Sequence, residues 1–102
     1  MFLFLKVHAQ KDETGQQSAD VRTKTGIATY YAKKFEGRKT TSGTKYRAHK
    51  LTAAHRSLPF GTVVTVTNLK NGKSVDVVVN DRDPNKKKYI IDISESAAKK
   101  LG

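Results

Sequence analysis

The chain has no cysteine, which excludes a disulfide framework, a thiolate metal centre and a cysteine nucleophile. It also lacks any apolar run near the ~20 residues of a membrane-spanning helix; the longest at the amino end is Met1-Phe2-Leu3-Phe4-Leu5. Histidines are few, and His49 and His55 do not sit at metal-ligand spacing, so neither a metal nor another cofactor is expected. Acids are scarce as well: 9 Asp+Glu face 20 Lys+Arg, for a formal charge of +11. Such a surface attracts polyanions, whether nucleic acid, anionic lipid heads or acidic wall polymers.

What is present suffices for one modest domain: 102 residues, 36% of them hydrophobic. Residues 1–9 read as the clipped tail of a secretory signal, because an apolar stretch is followed by Val7-His8-Ala9. Lys6 interrupts it, and a full hydrophobic region needs ~7 to 15 apolar residues; the other reading is an ordinary terminus. Residues 10–24 are polar with a single Val and read as a flexible arm. The ordered domain is then expected over residues 25–102.

Within that domain, Gly26-Ile27-Ala28-Thr29-Tyr30-Tyr31 alternates and carries β-favouring residues. Residues 32–47 form a long polar and basic loop punctuated by Gly37 and Gly43, and long loops in small domains tend to carry function. Tyr30, Tyr31, Phe35 and Tyr46 offer rings for sugars or bases, or serve as core. Two β-branched runs, residues 62–69 and 74–80, flank Asn71-Gly72, a strong hairpin signal. Tyr89-Ile90-Ile91-Asp92-Ile93 reads as a further strand. Ser94 as N-cap, Glu95 in the first turn, Lys99 and Lys100 in the last and Gly102 at the stop predict a short terminal helix.

The most informative stretch is Val75-Asp76-Val77-Val78-Val79-Asn80-Asp81-Arg82-Asp83-Pro84. Counting by twos, Val75, Val77 and Val79 share a face and Asp81 falls next in that row. A carboxylate there is incompletely solvated, which raises its pKa toward the range of a proton donor. The bland alternative is that Asp81 starts a turn and Arg82 is a surface charge. His55, beside two alanines, reads as a structural residue or as a group that titrates near neutrality at a proton-transfer site.

Taken together, several strings resemble the catalytic domain of the rare lipoprotein A (RlpA) family. They are Gly26-Ile27-Ala28-Thr29-Tyr30-Tyr31, Phe35-Glu36-Gly37-Arg38-Lys39-Thr40, Thr52-Ala53-Ala54-His55-Arg56-Ser57-Leu58-Pro59-Phe60-Gly61, Val79-Asn80-Asp81-Arg82-Asp83-Pro84 and Ile90-Ile91-Asp92-Ile93-Ser94. The resemblance implies a mostly β fold, a six-stranded double-psi β-barrel with short helices, one of them at the carboxyl terminus. It further implies a lytic transglycosylase acting on peptide-stripped peptidoglycan glycan strands, leaving 1,6-anhydro-N-acetylmuramic acid ends. By that likeness Asp81, His55 and Asp92 are the catalytic candidates, and Tyr31, Thr40, Thr44, Arg82 and Asp83 line the substrate groove. Two positions depart from the family pattern. Thr44 stands where relatives commonly have a carboxylate, and Asp83 adds a negative charge beside Asp81, opposing the pull of Arg82 on its pKa.

The expected setting is the cell envelope, as a secreted or periplasmic monomer without a lipid-anchor cysteine, whose partner is the glycan strand. The competing reading is a non-catalytic, expansin-like wall-binding or wall-loosening module. Nucleic acid is not expected as a partner, because the cations are scattered and no nucleic-acid motif is present.

Overall fold

Alternation in the two valine runs sets the interior. In the strand Val63–Asn68 the residues Val64 and Val66 are fully buried, and in Ser74–Asp81 so are Val77 and Val79, with Val75 nearly so. Antiparallel register places Val64 against Val77 and Val66 against Val75, so branched side chains meet on the inner face, where they pack best. The structure is a computed structural model that describes residues 3–11, 23–83 and 88–102; the remainder of the expected arm and of the basic loop after Pro84 lies outside the described residues.

Six strands, β1 (Leu3–Lys11), β2 (Thr23–Tyr30), β3 (Thr52–Ala54), β4 (Val63–Asn68), β5 (Ser74–Asp81) and β6 (Tyr89–Ile93), precede one helix, α1 (Glu95–Leu101). They close into a barrel in the order β1-β2-β6-β3-β5-β4, with β4 returning to β1. Two of the pairings, β2 with β6 and β3 with β5, are parallel, and the others are antiparallel. This is the double-psi arrangement expected from the family likeness, and closure leaves so small a sheet without open edges.

Two strands depart from the sequence reading. The segment Leu3–Lys11 pairs with both β2 and β4, so the sheet begins amino-terminal of the expected boundary at Thr25. The other is β3, three residues of small side chains, too short for any periodicity to reveal.

The main core joins the inward residues of β4 and β5 with Ala28, Ala53, Ile91 and Ile93, and α1 covers it with Ala97, Ala98 and Leu101. The helix is tied down at both ends. Ser94 Oγ accepts from Ala97 N at 3.3 Å and donates to Lys50 O at 2.6 Å. At the other end Asn68 Nδ2 and Asn71 Nδ2 both donate to Leu101 O at 2.9 Å, satisfying a carbonyl that the helix leaves unpaired. Leu101→Ala is therefore expected to destabilise the fold by about 2–5 kcal/mol, read as a lower urea midpoint with an unchanged slope.

Candidate functional site

One irregularity in the sheet makes the site. β3 and β5 run in register at Ala53 against Val79, but the next pair is Ala54 against Asp81, so Asn80 is an extra residue in β5. Such a bulge re-aims the side chains that follow it. Asp81 therefore leaves the row of Val75, Val77 and Val79, contrary to the expectation that it continues that buried row. It joins the row of Ala54, and Ala54 is in turn paired with Asp92 of β6. Asp92 stands between Ile91 and Ile93, both core residues, so this row faces away from the main core. Ala54 is thus the floor between two acids whose backbones are two strand spacings apart, about 10 Å.

Over that floor lies a second, smaller cluster, Tyr31, Tyr46 and Ala54 with Phe35 and Ala48 against it. Tyr31 and Tyr46 stack with centroids 4.2 Å apart and planes 8° apart, and Phe35 meets Tyr31 edge-on at 6.0 Å. The long loop that supplies these rings is ordered by its own ladder: Gly37 N to Tyr46 O at 2.9 Å, Tyr46 N to Arg38 O at 2.7 Å and Thr40 N to Thr44 O at 2.7 Å. Its tip reaches the bulge, where Ser42 N donates to Asn80 O at 3.3 Å. Between loop and floor is a cleft of ≈ 370 Å³, into which Tyr31, Thr40, Ala54, Asp81 and Asp92 face.

Asp81 is the best-held group in it. Tyr31 Oη donates to Oδ2 at 2.6 Å, while Oδ1 accepts from Thr41 N and Thr41 Oγ1, each at 2.8 Å, and from Arg82 N at 2.9 Å. Burial pushes the Asp81 carboxyl up, but the hydrogen bonds from Tyr31, Thr41 and Arg82 together outweigh it, and its pKa lies below the ordinary carboxylate value. The sequence leaves the sign open between burial and Asp83 on one side and Arg82 on the other; in the structure the donors to the anion decide it. Burial and then the bond to Asp81 raise the Tyr31 hydroxyl well above the tyrosine range, so Tyr31 stays a donor.

Asp92 accepts from Thr29 Oγ1 at 3.0 Å. Asp83 is buried and also lines the cleft, as does Arg82. The Arg82 guanidinium, however, turns to the 55–60 turn, donating to Leu58 O at 2.7 Å and His55 O at 3.2 Å and lying 4.1 Å over the Phe60 ring. Thr40 is buried and donates to Thr44 O at 2.7 Å. Thr44 is not on the cleft wall; its hydroxyl joins those of Thr40 and Ser42 at the loop tip, at 3.2 and 3.1 Å.

His55 is likewise not among the cleft-lining side chains. Its backbone N donates to Asp81 O at 3.0 Å, and its Nδ1 accepts from Ser57 N and Leu58 N, both at 3.1 Å. The ring proton is then on Nε2. Burial, followed by the charges of Lys24, Arg56 and Arg82, lowers its pKa from 6.5 to about 4, so it is neutral at neutral pH rather than poised to titrate there. Between pH 6.5 and 4 the unfolded chain takes up a proton that the folded chain refuses, so stability falls as pH falls through that window. His55→Gln is expected to flatten that part of a stability-against-pH curve measured by urea unfolding.

Sequence reasoning missed Thr41 and the floor residue Ala54. The polar run before Gly43 marks a turn, but which of its hydroxyls reaches Asp81 depends on where the loop tip docks. Among the described residues no group of His, Asp and Glu is arranged to hold a metal ion, and no helix is long and apolar enough to cross a membrane.

A closed six-stranded barrel with two parallel pairings among its strands is a double-psi β-barrel. A family model described as lytic transglycolase matches residues 23–102; the chain belongs to that family, in its rare lipoprotein A branch. Similar proteins include the endolytic peptidoglycan transglycosylase RlpA of Neisseria meningitidis serogroup A, 54% identical over 80 residues that make up 78% of this chain and 34% of that protein. The probable endolytic peptidoglycan transglycosylases RlpA of Synechocystis and of Treponema pallidum are 52% and 55% identical, over 79% and 72% of this chain and 25% and 23% of theirs. The chain thus spans about a quarter to a third of the length of these curated relatives.

Proposed function

We propose that this chain is a lytic transglycosylase that cleaves peptide-stripped peptidoglycan glycan strands, outside the cytoplasm and as a monomer. The observation that carries this reading is the Asp81 carboxylate, held by Tyr31 and Thr41 in a cleft walled by aromatic rings, which Asp83 and Asp92 also line. The relatives named as endolytic peptidoglycan transglycosylases support it. Hydrolysis of a glycoside generally uses a pair of carboxylates because water or an enzyme nucleophile must also be managed. Intramolecular attack needs fewer groups.

In this reading the protonated Asp81 gives its proton to the glycosidic oxygen as the bond from C1 of N-acetylmuramic acid breaks. The 6-hydroxyl of the same sugar then bonds to C1, and its proton returns to Asp81, so the acid is regenerated and no external cofactor is required. A strand over the cleft removes water from the carboxyl and brings anionic sugar groups near it; both raise the pKa from its lowered value in the free protein. Asp92, across Ala54, accepts hydroxyls of the adjoining sugar. His55 and Arg82 act as positioning groups, fixing the turn behind Asp81.

The test is mass spectrometry of the soluble products after incubation with amidase-stripped glycan strands. Fragments ending in 1,6-anhydro-N-acetylmuramic acid are expected. Reducing ends would mean hydrolysis, and bound but intact strands would leave a wall-binding module.

A further inference from the structure

The cleft holds two cations that its described acid-pairing does not account for. Arg38 and Lys39 line it beside the aromatic wall. Both sit on the loop ladder, Arg38 through Tyr46 N to Arg38 O at 2.7 Å and Lys39 through its bridge to Lys45. The Arg38 guanidinium lies 5.5 Å over the Phe35 ring. Neither Arg38 nor Lys39 takes part in the ion pairs of Arg47 with Glu36 and of Lys99 with Glu95. Asp81 has its oxygens taken by hydrogen bonds from Tyr31, Thr41 and Arg82 N, and Asp92 accepts from Thr29; these carboxylates and Asp83 share the cleft with the two cations. Arg82 is occupied with backbone carbonyls of the neighbouring turn.

We infer that Arg38 and Lys39 form an anion subsite that takes the free lactyl carboxylate of a muramic acid residue in the strand, an assignment that rests on the glycan-cleaving reading. A guanidinium fork matches a carboxylate in a way it does not match an amide. When a stem peptide is attached, that carboxyl is an amide and carries no charge; stripping the peptide restores the anion. The subsite therefore reads the peptide state of the strand through charge, independently of any steric exclusion of the peptide.

The experiment measures binding of a labelled soluble strand to the Asp81→Asn chain, which separates affinity from turnover. One strand has free lactyl carboxylates and the other has them capped as methyl amides. At low salt, capping is expected to weaken binding about tenfold. Arg38→Gln combined with Lys39→Gln is expected to bind both strands equally, at the level of the capped one. The inference is overturned if capping leaves affinity unchanged, if the double variant keeps the full capping effect, or if the free-carboxylate strand does not bind. Cleavage by the unsubstituted chain is scored separately: loss of affinity on capping without any cleavage removes the lyase reading and keeps the subsite. Cleavage of both strands with equal affinity does the reverse.

Discussion

Asp81→Asn is expected to lower turnover of stripped glycan strands by about 10²–10⁴-fold, the range for removing a general acid, while leaving the fold and strand binding in place. Asn has the same shape, and its amide oxygen can keep the bonds from Thr41 N, Thr41 Oγ1 and Arg82 N that reach Oδ1 of Asp81. What disappears is the group able to give and take a proton, together with the anion that Tyr31 Oη meets at 2.6 Å. Asp92→Asn, made in parallel, separates the two acids on either side of Ala54. Because Asp92 is assigned to sugar hydroxyls, its loss is expected to act chiefly on KM. Turnover within tenfold of the parent for Asp81→Asn, or a kcat collapse confined to Asp92→Asn, would move the leading role to Asp92.

Much of the barrel was legible because its strands obey simple alternation. The two valine runs, the turn at Asn71-Gly72 and the capped helix lie where local pattern puts them, with Gly72 at φ 76° and Gly102 at φ 87° as their positions demand. What local pattern could not carry was anything created between elements. Asp81 looked like the next member of a buried row, and one extra residue at Asn80 turned it to the other face. The sign of its pKa shift was not legible for the same reason. Sequence neighbours such as Asp83 are visible in the chain, whereas Tyr31 and Thr41, 50 and 40 residues away, supply the hydrogen bonds that lower its pKa. His55 was legible as a residue of interest, but its neutrality follows from burial and from the charges of Lys24, Arg56 and Arg82.

Tyr31→Phe is expected to produce the clearest change in pH dependence. In the free protein burial raises the Asp81 pKa, and the hydrogen bonds led by Tyr31 bring it below the ordinary value. The phenylalanine keeps the ring that stacks on Tyr46 and meets Phe35, and removes only the donor to the anion, so the Asp81 pKa moves up. Since kcat/KM reports the free enzyme and kcat the bound one, a carboxyl acting as acid makes kcat/KM fall as pH rises through the lowered Asp81 pKa. The fall in kcat comes at higher pH, because the strand desolvates the carboxyl. In Tyr31→Phe the fall in kcat/KM is expected to shift to higher pH and approach that of kcat. The opposite slope, kcat/KM rising with pH through this range and the rise itself shifting upward in the variant, would show Asp81 working from its anionic form. The proton for the leaving oxygen would then have to come from another group, and Asp92, two strand spacings across the floor, is the carboxyl placed to give it.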